Sequence, residues 1–250
     1  MSLRSRVRLA LHNIGLERIR TPSFVDLIHH EGISTVLDVG ANVGQYAKEL
    51  RLFGYKGRIV SFEPMSAAYH GLASAAHGNW EARHMALGAV DGHDELNISE
   101  ASVFNSFKPL TEYTRVSLPG ARQDRKEQVV VRRLDTLIAE EPDLARDAYL
   151  KIDTQGFELE VLEGAGDSLA LFRAVQLELP LQALYEKQSL LTEMIIYMRE
   201  RGFSLVMAKE NGFDRRQMRL LELDAVFVPA DGAHIAASQD GRKSTGAKVR

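Results

Sequence analysis

Short apolar runs alternate along this chain with stretches of helical spacing, and that alternation constrains the fold more than any other feature. "STVLDVG" reads as a buried strand, and "GQYAKELRLFG" as a helix stopped by Gly54. "GRIVSFEP" is a second strand, "MSAAYHGLASAAHG" a second helix ending at Gly78, and "WEARHMALGA" a third strand. Farther on, "AYLKIDTQG" reads as a strand followed by a helix over "FELEVLEGAGDSLALF". "AVQLELP" is another strand, and "LTEMIIYMRERG" a helix stopped by Gly202. "FSLVMAKE" and "LELDAVFVP" close the series as strands. Strands that are apolar on both sides and separated by helices require a parallel sheet covered on both faces. The expected fold is doubly wound α/β, with ligands at the carboxyl ends of the strands.

Two regions depart from this rhythm. Residues 93–133 read as short strands, "DELNISEASVFNSFKPL" and "EQVVVRRLD", around a polar loop. Such an insertion at the carboxyl edge either carries substrate contacts or merely extends the sheet. Residues 1–32 read as a helical segment with a basic face (Arg4, Arg6, Arg8, Arg18 and Arg20) and an apolar stripe. It reads as a first helix packed on the domain edge, with membrane-surface or polyanion binding as the alternative. Residues 33–229 are expected to form the main domain, and 230–250, small, polar and dotted with glycine, a disordered tail.

Composition removes several classes of function. The 250 residues are 45% hydrophobic and 26% charged, which suits one large globular domain. Cys is absent, so disulfides, zinc–thiolate sites and thiol nucleophiles are excluded. A net charge of −3 gives no global case for nucleic acid or a membrane surface. No apolar run approaches the roughly 20 residues of a membrane span. No secretory leader is evident, so the expected location is cytoplasmic.

The loop in "TVLDVGANVGQYA", Thr35 to Ala47, follows the first strand and opens the first helix. Gly40 and Gly44 allow a sharp turn and close approach to a ligand, and the helix start offers free N–H groups. A dinucleotide fingerprint beginning at Gly40 would need glycine at 42 and 45, where Asn42 and Gln45 stand. A phosphate-cradling loop is excluded because no Gly-Lys-Ser/Thr follows. Asp38 would repel a pyrophosphate and favour an ammonium. S-adenosylmethionine carries an ammonium and a sulfonium. Glu63, at the end of the second strand and followed by Pro64, is placed to accept hydrogen bonds from two ribose hydroxyls. Gly40, Ala41, Asn42, Gly44, Glu63 and Pro64 are therefore the expected cofactor-binding residues together with Asp38.

"VLDVGANVGQYA", "GRIVSFEP", "HMALGAVDG", "NSFKPL", "VRRLDTL" and "LKIDTQGFELEVLEGA" together resemble the FkbM-type S-adenosylmethionine-dependent methyltransferases, over about Val36 to Pro229. The first motif alone fits any class I methyltransferase; the "KIDTQGFELEVLEG" segment points to this family. The resemblance implies a seven-stranded, Rossmann-like sheet with its last strand antiparallel, and O-methylation of a sugar or natural-product hydroxyl. Gln155 stands where the family more often carries an acid before the glycine, which leaves any role of that acid open here.

Asp153 ends the strand "YLKID" and Glu178 sits in "VQLELP", both beside the expected crevice. Together they are the candidate catalytic residues and the candidate ligands of Mg2+ or another divalent cation that would acidify the acceptor hydroxyl. Asp153 alone could serve as general base, or it could cap the next helix. Glu158 is expected in that helix's first turn. Asp135 is expected to cap a helix, His84 to be structural, and His29 and His30 to lie at the end of an N-terminal helix. Asn105 and Ser106 are plausible loop contacts.

The sequence therefore points to transfer of a methyl group from S-adenosylmethionine to a hydroxyl of a small-molecule or carbohydrate acceptor. No nucleic-acid partner and no membrane span are expected, and a two-fold homodimer is the default assembly. The rivals are a nicotinamide oxidoreductase, a non-catalytic cofactor-binding protein on the same fold, and methylation of nitrogen or protein, which the absence of an "NPPY"-type motif weakens.

Overall fold

The computed structural model describes residues 22–230. The basic stripe before residue 22 and all but the first residue of the expected tail lie outside the described residues. Helix α1 (Phe24–His30) opens the described chain. Ser23 accepts from Asp26 N at 3.2 Å while the Asp26 carboxylate accepts from Ser23 N at 2.7 Å, a reciprocal cap that fixes the first turn. His29 and His30 end this helix, as expected.

The order then runs β1 (Thr35–Val39), α2 (Gln45–Leu52), β2 (Arg58–Phe62), α3 (Ser66–Ala75), β3 (Trp80–Arg83), β4 (Ala86–Leu87) and β5 (Gly92–Ser99). It continues through α4 (Glu112–Ser117), β6 (Gln123–Arg132), α5 (Leu134–Glu140), β7 (Ala148–Ile152), α6 (Glu158–Ala165) and β8 (Ala174–Pro180). Helix α7 (Leu191–Glu200) and the hairpin β9 (Phe203–Asp214) and β10 (Arg219–Pro229) complete it. Seven strands form one sheet in the order β3-β2-β1-β7-β8-β10-β9. β10 folds back from β9 and inserts beside β8, antiparallel to both, while the other pairs along β3 to β8 are parallel. This is the expected doubly wound sheet with one reversed strand.

The two faces of the sheet differ, because side chains alternate along each strand. One face presents Leu37, Val39, Val60, Phe62, Leu150, Ile152, Val175 and Leu177 to α5, α6 and α7, all buried in a single apolar cluster. Full burial of each such side chain contributes about 1.5–3 kcal/mol. The other face begins apolar, with Val36, Ile59, Tyr149 and Val226 packed on α1, α2 and α3. It turns polar toward the carboxyl ends, where register aligns Ser61, Asp38, Lys151 and Gln176 in a row across β2, β1, β7 and β8.

Several expected boundaries shift. The third strand divides: Trp80–Arg83 stays in the main sheet, whereas Ala86–Leu87 joins a second, three-stranded sheet ordered β4-β6-β5. The insertion is therefore a separate small sheet rather than an extension of the first. The helix expected over 157–172 ends at Ala165, because Gly166 takes φ +51°, and a 3-10 turn follows. Asp135 sits in the first turn of α5 and pairs with Arg133 instead of capping the helix.

Candidate active site

A cavity of about 390 Å³ opens at the carboxyl ends of the parallel strands. Gly40, Ala41 and Asn42 of the β1–α2 loop, Glu63 and Pro64, Lys151 with Asp153 to Gln155, and Asn211 with Asp224 form its walls, while Gly44, expected there, lies outside them; β5 closes the cavity with Leu96, and the segment after it with Ser102, Val103, Asn105 and Phe107. Residues of the insertion thus line the cavity.

The loop glycines are required by packing within the protein. Gly40 has φ +78°, and a Cβ there would lie 1.9 Å from Asp153 O. Gly44 has φ +81°, and its Cβ would meet the Trp80 ring at 2.7 Å. Any larger residue would force β1 from β7, or α2 from β3. Gly40 N and Ala41 N donate to Phe62 O at 3.1 and 3.0 Å, which ties the loop to the end of β2. Asn42 stands at φ +48° and donates through Nδ2 to Ser102 Oγ at 3.1 Å.

Glu63 is 7% exposed and lies in the cavity wall. Its Oε2 accepts from Asn42 N at 2.8 Å and its Oε1 from Met65 N at 2.9 Å. Each oxygen retains a further lone pair. Burial pushes this carboxyl up to about 7, against the two N–H donors, which favour its charged form. Pro64 lies beside it in the same wall.

Asp38 is placed differently from expectation. It is fully buried within β1 and forms no part of the cavity wall. Lys151 Nζ lies 3.1 Å from its Oδ1, and Ser61 Oγ donates to its Oδ2 at 3.2 Å. Its charge is satisfied inside the polar row, so it does not reach a ligand's ammonium directly. Lys151, 6% exposed, also lies 3.4 Å from Asp153 Oδ2 and sits over the Tyr46 ring at 5.3 Å. Burial alone would lower the Lys151 pKa, but Asp153 and Asp38 outweigh it and raise it. The row ends at Gln176, whose Oε1 accepts from Tyr46 OH and Tyr149 OH at 2.8 and 2.9 Å.

Asp153 lies in the wall with its side chain one-third exposed, and it does not cap α6. The cap-like work falls to Glu158, whose Oε1 accepts from Thr154 N at 2.9 Å and Gly156 N at 3.1 Å and so folds the 153–157 turn. Burial raises the Glu158 pKa to about 7. Gln155 Nε2 donates to Asp153 Oδ1 at 2.9 Å and to Glu178 Oε2 at 2.8 Å. Glu178 is buried and outside the cavity wall, and Asn211 Nδ2 donates to its Oε1 at 2.6 Å. The structure therefore corrects both expectations for Glu178. It does not face the cavity as a catalytic group, and amides hold it where a cation was expected. Among the described residues no three His, Cys, Asp or Glu side chains are grouped to hold a metal ion.

Burial first, and then the neighbouring Asp153 and Glu222, push the Glu178 carboxyl well above the usual range. Glu222 is raised to about 8 by burial and then by Asp153 and Glu158, and Asp224 to about 6, again chiefly by burial. Asn105 reaches the cavity and accepts from Ser99 N at 2.8 Å, while Ser106 is buried and donates to Gln155 O at 2.6 Å. His84 lies outside the wall, stacked on Tyr69 at 4.4 Å with Nε2 3.0 Å from Pro64 O.

Sequence reasoning did not assign roles to Lys151, Gln176, Asn211, Glu222 or Asp224. The available signal was a polar residue at every second position near the ends of otherwise apolar strands: Lys151 and Asp153, Gln176 and Glu178, Glu222 and Asp224.

Residues 38–205, well over half of the chain, match the methyltransferase FkbM domain. The chain is 28% identical over 153 residues to Methyltransferase 1 of Beauveria bassiana, covering 54% of this chain and 59% of that protein. It is 27% identical over 194 residues to the AMB antimetabolite synthetase AmbE of Pseudomonas aeruginosa, covering 62% of this chain but 9% of that protein. The chain thus spans less than two thirds of either relative. A magnesium protoporphyrin IX methyltransferase from Synechocystis, solved with bound S-adenosylmethionine, aligns over 91% of this chain and 98% of its own at 12% identity and a TM-score of 0.42. No helix among the described residues is long and apolar enough to cross a membrane.

Proposed function

The chain belongs to the FkbM methyltransferase family, and from that premise we propose that it transfers the methyl group of S-adenosylmethionine to a hydroxyl oxygen of a sugar, glycoside or natural product. Glu63 carries the cofactor half of this reading. It is a carboxylate in the cavity wall with both oxygens oriented by backbone N–H groups and a lone pair left on each. That arrangement suits the two adjacent hydroxyls of a ribose. Ala41, Asn42 and the first turn of α2 would line the remainder of the cofactor site. Bound there, S-adenosylmethionine supplies an electrophilic methyl group on a sulfonium.

The acceptor half rests on Asp153, a wall residue at the end of β7. Its carboxylate is oriented by Gln155 on Oδ1 and Lys151 on Oδ2, and it would take the proton from the acceptor hydroxyl. Positioning of the two substrates would provide most of the rate. Glu49, Glu63, Asp153 and Asp224 line the cavity against one cation, Lys151, already paired with Asp38. That balance disfavours phosphorylated or carboxylated acceptors.

The test has two stages. Calorimetric titration with S-adenosylmethionine, with NAD as control, is expected to show one saturable site for the first and none for the second. S-adenosylhomocysteine formation is then followed over neutral glycosides, amines and sugar phosphates, with turnover expected on the neutral hydroxyl compounds. Binding of NAD alone, or turnover confined to amines or phosphates, would reject this reading.

A further inference from the structure

Gln155 sits at the centre of the acidic end of the site, between Asp153 and Glu178. Its side-chain orientation is fixed from both sides. Tyr185 OH donates to Oε1 at 2.8 Å, which leaves Nε2 directed at the two carboxylates. The backbone is pinned as well. Gln155 stands at φ +56°, its carbonyl accepts from Ser106 Oγ at 2.6 Å, and Gly156 packs so tightly on the Tyr185 ring that a Cβ would approach it to 2.8 Å.

A divalent cation shared by two carboxylates needs their oxygens free to face it. Here all four oxygens face nitrogen. Asp153 Oδ1 and Glu178 Oε2 accept from Gln155 at 2.9 and 2.8 Å, Glu178 Oε1 accepts from Asn211 at 2.6 Å, and Asp153 Oδ2 has Lys151 Nζ at 3.4 Å. The two N–H bonds of one amide occupy the position between the carboxylates that the ion would take. Lys151 and Asn211 complete the shell, so the donor set does not fit a metal.

We propose that Gln155 is a positioning residue whose amide bridges Asp153 and Glu178 in place of a divalent cation, so that this chain orients its acceptor-side carboxylate without a metal ion. The part that concerns Asp153 and an acceptor rests on the methyl-transfer reading above; the exclusion of the ion does not. The sequence carries one corollary. Placing an acid at 155 removes the bridging N–H donors and adds a third carboxylate, and so should convert the bridge into a cation site.

The experiment titrates Mn2+ alone into the full chain and follows free Mn2+ by electron paramagnetic resonance. The wild type is expected to show no stoichiometric site tighter than about 1 mM. Gln155→Glu is expected to gain one Mn2+ per chain, bound at least about tenfold more tightly than by the wild type, and the gain should disappear in Gln155→Glu combined with Asp153→Asn. One wild-type Mn2+ site that Asp153→Asn abolishes would overturn the proposal. So would a folded Gln155→Glu protein with no gain in affinity. If that variant does not fold, the 15N spectrum of the wild type decides. The Gln155 side-chain N–H signals should be slow to exchange and unbroadened by Mn2+, and selective broadening would overturn the proposal. S-adenosylmethionine titrated into the same wild-type sample separates the two readings. Absent cofactor binding with the expected Mn2+ results rejects methyl transfer alone. Cofactor binding together with a wild-type Mn2+ site rejects the amide bridge alone.

Discussion

Glu63 and Glu178 stand near the carboxyl ends of two strands of one sheet, both more than nine-tenths buried, and they are held by partners of different kinds. Glu63 is fixed by backbone N–H groups from Asn42 and Met65. Glu178 is fixed by the side-chain amides of Gln155 and Asn211. Backbone donors come with the turn geometry and persist whatever the side chains are. Side-chain donors depend on two particular residues. The Glu63 end is thus set by the fold, and the acidic end by the choice of amino acids. Lys151 joins the two ends, paired with Asp38 on one side and Asp153 on the other.

The largest expected effect comes from cutting that link. Lys151→Met leaves Asp38 buried without its cation, and breaking one partner of such a pair costs about 3–5 kcal/mol. For a chain of this size the midpoint of thermal unfolding should fall on the order of 10 °C. Adding Asp38→Asn should recover part of the loss. Equal losses in the single and double variants would show that the pair does not hold the row together.

A smaller effect tests the acidic end alone. Tyr185→Phe deprives Gln155 Oε1 of its donor and should cost about 1–3 kcal/mol, the range for a buried group left unpaired. Thermal unfolding measures it, and S-adenosylmethionine affinity should stay unchanged. A loss of cofactor affinity comparable to the loss of stability would merge the two ends.

The smallest effect is read in pH. Folding raises the Glu222 pKa from 4.5 to about 8, so the folded state binds the proton more tightly than the unfolded chain. Stability from this group is therefore full below pH 4.5 and declines as the pH rises toward 8. Glu222→Gln should flatten the decline and raise the midpoint at pH 8 by roughly 2–4 °C, the shift that about 1 kcal/mol produces. An unchanged slope would place the pH response elsewhere, with Glu63 and Glu158, both raised to about 7, as the next groups to substitute.

The doubly wound parallel sheet was accessible from sequence because buried parallel strands leave long apolar runs, whereas the reversed last strand was implied only by the family resemblance and the strand order came from the structure. The place of Glu63 at the end of β2 was legible because that strand ends in an acid before a proline. Asp38 was misassigned for a physical reason. An acid near the end of a β-strand reads as lying near the ligand, and only register across β1 and β7 reveals that Lys151 stands opposite Asp38 as its partner. Glu178 was misread in the same way, since its partners come from 23 and 33 residues away in sequence. The division of the third strand after Arg83 was hidden because "WEARHMALGA" keeps its strand character while changing sheets.

The account rests most directly on the separation of the two ends, and parallel calorimetric titrations of S-adenosylmethionine into Glu63→Ala and Glu178→Gln test it. Glu63→Ala should weaken binding roughly 10–100-fold, as expected for loss of hydrogen bonds to a charged group worth about 1.5–3 kcal/mol. Glu178→Gln should stay within about threefold of the wild type, a change of less than about 1 kcal/mol, because Glu178 lies outside the cavity wall. Unimpaired binding by Glu63→Ala, or a larger loss in Glu178→Gln, would contradict the account.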